Sequence, residues 1–336
     1  MDTVNPATLL SKRFRPNEIP DLTSRVAIVT GGSAGIGYYD AIELAKKNAK
    51  VIIISATLER GKQAESEMNN HITSEGGKGS VEWIGLDLGD LKATDEVAKR
   101  LAKDLARLDI LILNAGIGQG TPGFTKDGLG NHYGVNNLAH YVLSLRLLSL
   151  MEKTATSGLA QPTTVRIVFQ TSELHRMAPS DVQFASKEEV SGPDRDPVVL
   201  YGRSKLGMIL NGRALATRKL NRSAGKIVVI SVHPGTVDTD LQEAWSRSYG
   251  WLGKLINPIS RKVGKSALEG AEASLWAATS DEINESNWQD YQGNYYSEAK
   301  GKAGTESNPA KDMKLADNYW SLCARLSKEI LGEELN

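Results

Sequence analysis

The chain has 336 residues, 40% of them apolar, with 40 Lys and Arg against 40 Asp and Glu. That balance argues against nucleic acid or an anionic membrane as the main partner. The single cysteine, Cys323, rules out an internal disulfide and cysteine-built metal sites, and no apolar run reaches the roughly 18 residues of a membrane-spanning helix.

Residues 1–21 are polar, carry Pro6, Pro16 and Pro20, and lack the apolar stretch of a secretory signal. They read as an arm packed on the surface. With one cysteine in so long a chain, a reducing, cytoplasmic setting is expected. The pattern then alternates. A strand over 26–30 precedes a helix over 38–48, a strand over 51–54 a polar helix over 57–73, and a strand over 81–86 a helix over 92–105. A fourth strand over 109–113 precedes a helix over 135–153, whose apolar spacing is Val135, Leu138, Val142, Leu145 and Leu148. A fifth strand over 164–169, a helix over 200–219 and a sixth strand over 226–232 follow. Strands alternating with helices predict an α/β fold, a doubly wound parallel sheet with helices on both faces. The alternation runs from about 22 to 297, so 22–300 reads as a single domain. Residues 177–197 read as a loop insertion, 236–265 as an irregular segment, and 301–336 as a tail with a short helix over about 310–331.

Thr30-Gly31-Gly32-Ser33-Ala34-Gly35-Ile36-Gly37 joins the first strand to the first helix. Glycine permits the tight turn, backbone approaches a pyrophosphate only where no Cβ intervenes, and a helix N-terminus offers free N–H groups. The alternative is an ordinary glycine-rich turn. Tyr201-Gly202-Arg203-Ser204-Lys205 puts a phenol and an ammonium on one helix face. Such a pair suits proton transfer, because a nearby cation favours phenolate. By itself the spacing also describes an exposed helix face.

These two motifs, in this order, resemble the short-chain dehydrogenase/reductase family in its single-domain Rossmann form. Four further stretches carry the resemblance: Leu113-Asn114-Ala115-Gly116, Val135-Asn136-Asn137-Leu138, Phe169-Gln170-Thr171-Ser172 and His233-Pro234-Gly235-Thr236-Val237-Asp238-Thr239. The resemblance covers about residues 22–300. It is nearest the retinol-dehydrogenase-like branch, which Thr125-Lys126-Asp127-Gly128, Leu174-His175 and Tyr319-Trp320-Ser321 echo. It implies a catalytic set of Asn136, Ser172, Tyr201 and Lys205, with Lys205 depressing the Tyr201 pKa and Asn136 holding a water in a proton relay. It implies cofactor contacts from Gly31, Ser33, Ala34, Gly35, Ile36 and Gly37, from Asp87 and Leu88, from Asn114, Ala115 and Gly116, from Tyr201 and Lys205, and from Pro234, Gly235, Val237 and Thr239. The family departs from this chain at Leu113 and Gln170, and in the 29 residues separating Ser172 from Tyr201.

No Asp ends the second strand, where an acid would bind the ribose 2′-hydroxyl and repel a 2′-phosphate. Ser33, Ser55, Thr57 and Arg60 can meet a phosphate, so NADP(H) is favoured over NAD(H). Arg60 also reads as a solvated charge, and Asp87 as a nearby helix N-cap. The five histidines, His71, His132, His140, His175 and His233, lack metal-site spacing and read as structural, so no metal is expected. The segment 236–265, with Leu241, Trp245, Tyr249, Trp251 and Leu252, reads as a substrate lid ahead of a membrane-surface helix. The expected partner is a small-molecule carbonyl or alcohol; a homodimer is compatible with the resemblance. Two other functions share these features: a cofactor-binding protein without redox chemistry, and an acid–base enzyme catalysing cyclisation or dehydration.

Overall fold

The computed structural model describes residues 13–118, 122–157, 165–192, 196–220, 227–235 and 265–335. Seven parallel strands, β1 (Val26–Thr30), β2 (Lys50–Ser55), β3 (Ser80–Gly85), β4 (Ile110–Leu113), β5 (Val165–Gln170), β6 (Ile227–His233) and β7 (Asn294–Ser297), form one sheet in the order β3-β2-β1-β4-β5-β6-β7. The chain moves outward from β1 to β3, then returns to place β4 beside β1, with Ile28 opposite both Ile52 and Leu111. The order therefore reverses between β1 and β4, where α/β sheets open a crevice at the carboxyl ends of their strands.

Strand side chains alternate between two buried layers. Ile28, Ile52 and Ile54 face helices α3 (Leu91–Asp104), α4 (Ala139–Thr156), α5 (Pro197–Leu215) and α7 (Met313–Leu331). Ala27, Val29, Val51 and Ile53 face α1 (Gly35–Lys46), α2 (Leu58–Ser74) and α6 (Ala267–Thr279). With both faces covered, the strands need apolar residues at nearly every position, which is how they read in the sequence. Burying each Ile or Leu contributes about 1.5–3 kcal/mol.

Helix ends follow local chemistry. Asp90 caps α3 by accepting from Ala93 N–H, Asp196 caps α5 with Pro197 behind it, and Ser266 and Glu269 form a capping box on α6. Helix α7 stops at Gly332, φ +77°.

Three features differ from the sequence reading. The seventh strand pairs Tyr295 with Ser231 and closes that edge of the sheet. The helix predicted over 135–153 starts earlier and is not uniform: Asn131–Tyr133 is α-helical, Gly134–Leu138 is π-helical, and both run unbroken into α4. The insertion after the fifth strand is anchored: Phe184 is buried and meets Tyr319 of α7 edge-on, with ring centroids 5.2 Å apart, and Lys187–Ser191 forms a short helix. At the amino end, Phe14, Ile19 and Leu22 are buried, and Arg13 pairs with Glu269 and Glu272 of α6. No helix among the described residues is long and apolar enough to cross a membrane.

Candidate active site

In a parallel sheet every strand ends on the same edge, so the motif-bearing turns after β1, β4, β5 and β6 open there. The turn after β1 requires glycine. Gly31 (φ +69°) and Gly35 (φ +57°) are left-handed. A Cβ on Gly37 would lie 2.5 Å from both the Gly31 carbonyl and Asn114 Nδ2. Ser33 belongs to the same turn, Ile36 to the first turn of α1, and Ala34 is the N-cap of α1 without any side-chain capping bond. The first N–H groups of α1 are thus left for a ligand, and a glycine cradle under an uncapped helix end fits a pyrophosphate. Thr30 fastens this turn to the next. Its Oγ1 accepts from the N–H groups of Asn114 and Ala115, each at 3.0 Å, while Asn114 Nδ2 donates to the Thr30 carbonyl.

Helix α5 turns Tyr201, Ser204 and Lys205 inward, and all three are buried. Lys205 Nζ donates to the Gln170 carbonyl at 2.9 Å and lies 5.5 Å from the Tyr201 ring centroid. Thr171 Oγ1 donates to the Lys205 carbonyl. Ser172 Oγ accepts from Leu174 N–H at 3.2 Å, which leaves its own proton to donate elsewhere. Gly116 sits close by: a Cβ there would come within 3.5 Å of Lys205 Nζ.

Burial sets the electrostatics. It pushes the Tyr201 phenol up to about 12, opposed by the Ser172 hydroxyl. It pushes the Lys205 ammonium down from 10.5 to about 8. The resemblance implies that Lys205 lowers the Tyr201 pKa; here burial raises it and Ser172 supplies the opposing influence. Asn136 lies in the π-helical segment with its side chain fully engaged. Its Oδ1 accepts from Ile117 N–H, and its Nδ2 donates to the Ile117 carbonyl and to Ser204 Oγ.

At the far end of the crevice, Thr57 and Arg60 are exposed at the start of α2, and Arg60 pairs with no described residue. Asp87 Oδ1 accepts from Gly89 N–H; it is Asp90 that caps α3, so Asp87 is not the N-cap. Leu88 is buried beside it. Past β6, Pro234 is buried and Gly235 is left-handed at φ +85°, with a Cβ there 2.9 Å from both Lys265 Nζ and Glu298 Oε1. Val237, Thr239 and the lid segment to residue 264 lie outside the described residues.

A family profile described as short chain dehydrogenase matches residues 25–178. A Neurospora crassa protein named oxidoreductase bli-4, mitochondrial, is 37% identical over 328 residues, covering 94% of this chain and 74% of the relative. The chain belongs to the short-chain dehydrogenase/reductase family. Retinol dehydrogenase 12 of Mus musculus is another relative of this dehydrogenase/reductase, 30% identical over 313 residues, covering 93% of this chain and 87% of that protein. Among solved structures, an uncharacterized protein from Mycobacterium paratuberculosis superposes with TM-score 0.69 at 24% identity, covering 97% of this chain and all of that one. An NAD(P) dependent gluconate 5-dehydrogenase from Beutenbergia cavernae with bound NADP gives 0.59 at 24%, over 82% of this chain and 96% of its own. These likenesses to structures bear on the fold alone.

Three residues of this dehydrogenase/reductase site escaped the sequence reading in part or whole. Trp83 of β3 donates its indole N–H to Ser55 Oγ at 2.9 Å. Ser204 joins Asn136 to the Tyr201 carbonyl. Thr30 was read only as the start of the glycine motif. Each acts through a long-range contact that has no local sequence signature.

Proposed function

We propose that this chain is an NADP(H)-dependent oxidoreductase that reduces a ketone or aldehyde to its alcohol, or runs the reverse, with Tyr201 as general acid/base. The observation that supports this best is a buried phenol and ammonium, Tyr201 and Lys205, with the half-buried Ser172 hydroxyl, gathered at the same sheet edge as the glycine cradle. A bound nicotinamide supplies the hydride, or accepts it in the reverse direction. The residues handle the proton and the charge. A carbonyl oxygen lying between Ser172 and Tyr201 receives two hydrogen bonds as negative charge develops on it. Tyr201, kept protonated at neutral pH by burial, donates its proton to that oxygen. Lys205, charged below about pH 8, steadies the phenolate left behind. Asn136 bridges Ile117 to Ser204, one turn from Tyr201, and its assignment to the catalytic set is a positioning role.

Tyr201, Lys205 and the glycine turn suit a dinucleotide, and we assign Asp87 and Leu88 to its adenine end and Pro234, Gly235, Val237 and Thr239 to its nicotinamide end. Selectivity is read from β2. Ser55 accepts from Trp83, which leaves its own proton to donate, and a phosphate oxygen is a suitable acceptor. Arg60, which pairs with no described residue, adds charge-assisted bonds. NADPH is therefore expected to bind several-fold tighter than NADH. Arg60→Ala should weaken NADPH by about tenfold and leave NADH nearly unchanged. Titration of protein fluorescence with each cofactor checks this, and equal affinities in the wild type would count against the assignment.

The cradle gives a second expected result. Gly37→Ala sets a Cβ 2.5 Å from the Gly31 carbonyl, so the turn must open. Affinity for NADPH should fall by more than about tenfold, with the far-ultraviolet circular dichroism unchanged. Tight binding by this variant would place the dinucleotide elsewhere.

We read the compartment as cytoplasmic from the single Cys323; the mitochondrial designation of the Neurospora relative makes subcellular fractionation the deciding test.

A further inference from the structure

We propose that His140 is a positioning residue, the joint of a hydrogen-bond chain running from the base of the glycine cradle to the backbone of Tyr201. His140 lies in the first turn of α4 and is fully buried. Its Nε2 is 3.0 Å from Thr30 Oγ1, a residue 110 positions away, and its Nδ1 is 3.0 Å from the Asn136 carbonyl oxygen.

Every bond in this chain has only one workable direction. Thr30 Oγ1 already accepts from two backbone N–H groups, those of Asn114 and Ala115, which uses both lone pairs. Its proton must then be donated. His140 Nε2 at 3.0 Å is the better placed acceptor, since the Ile112 carbonyl is at 3.5 Å. The Asn136 carbonyl can only accept, so Nδ1 carries the ring proton and Nε2 is bare. Complete burial keeps the ring neutral, with its pKa pushed down to about 3. A neutral imidazole with one donor and one acceptor matches these two partners, which neither an apolar ring nor a cation would do. Beyond Asn136 the chain continues. Asn136 Nδ2 donates to Ser204 Oγ at 2.9 Å, and the Ser204 hydroxyl donates to the Tyr201 carbonyl at 2.8 Å.

The joint sits where the backbone most needs one. Asn136 belongs to the π-helical segment Gly134–Leu138, where the regular helical register is interrupted. A fixed imidazole N–H on the Asn136 carbonyl holds this segment against β1. The amino-terminal part of α5, and with it Tyr201, is thereby set relative to the crevice between β1 and β4. This inference rests on the reading of Tyr201 as proton donor.

The test compares His140→Phe, His140→Gln and Tyr201→Phe in NADPH-dependent reduction of a carbonyl substrate. Phenylalanine fills the space without polar atoms, and kcat should fall by about tenfold to a hundredfold with little change in KM, as misplacement of a reacting group predicts. Glutamine supplies an amide oxygen for Thr30 and an amide N–H for Asn136, and should restore kcat to within about threefold of the wild type. Should His140→Phe fail to fold, Ser204→Ala cuts the same chain at its other end by a small change and should lower kcat in the same way. A folded His140→Phe or Ser204→Ala with wild-type kcat overturns the chain, as does a His140→Gln no better than His140→Phe. An active Tyr201→Phe overturns the proton-donor reading instead.

Discussion

Tyr201→Phe is expected to lower turnover by about a thousandfold or more while leaving thermal stability and NADPH affinity close to the wild type. The phenol oxygen is the only atom removed. It lies in a fully buried setting that raises its pKa to about 12, so it does not serve as a surface charge whose loss would be felt elsewhere. The ring remains to pack, and Lys205 keeps its bond to the Gln170 carbonyl. Loss of the proton donor alone should appear in kcat and kcat/KM together, the pattern of an interaction made only in the transition state. Steady-state kinetics with a cofactor titration separates the two: a parallel loss of NADPH binding would mean that Tyr201 holds cofactor more than it moves protons.

Lys205→Met should act oppositely on activity and stability. Turnover should fall by about a hundredfold or more, because no cation remains beside the phenolate. Stability at neutral pH should rise. Burial lowers Lys205 from 10.5 to about 8, so below pH 8 the folded chain carries a desolvated ammonium that the unfolded chain keeps in water. That drop corresponds to roughly 3 kcal/mol of destabilisation, offset in part by about 1 kcal/mol for the bond to Gln170 that methionine cannot make. A net gain of about 2 kcal/mol is expected. The sign follows from proton uptake. Between about pH 8 and 10.5 the unfolded chain holds a proton on this lysine that the folded chain has released, so wild-type stability rises with pH across that window. Lys205→Met lacks this rise, and its advantage should vanish by the upper end. Urea unfolding at several pH values measures it; a variant less stable than the wild type at neutral pH would show that the ammonium is better solvated than its burial implies. In reduction, wild-type kcat should fall as pH passes about 8, where Lys205 loses its charge.

Features that were legible in the sequence are local ones. The glycine turn reads directly because left-handed backbone at Gly31 and Gly35 demands a residue without Cβ. Tyr201 and Lys205 read because helical spacing alone puts them on one face. The strands of the sheet centre read because both their faces are buried. What did not read depends on distant partners. Strand β7 is four residues long, and its identity comes from pairing with β6. The π-helical segment is a change in backbone register that side-chain periodicity does not record. That Asp90, and not Asp87, starts α3 depends on which carboxylate meets the Ala93 N–H. Phe184, inside a polar insertion, reads as loop until Tyr319 is brought against it from the other end of the chain.

Whether Tyr201 donates the proton in an NADPH-dependent reduction is decided by following the absorbance of reduced cofactor when the purified protein is given NADPH and a panel of ketones and aldehydes, in parallel with Tyr201→Phe. Carbonyl-dependent loss of NADPH is expected, with one alcohol formed for each cofactor consumed, and near-complete loss of that signal in the variant. Conversion of a substrate with no change in NADPH, or turnover of NADPH that survives Tyr201→Phe, would contradict it.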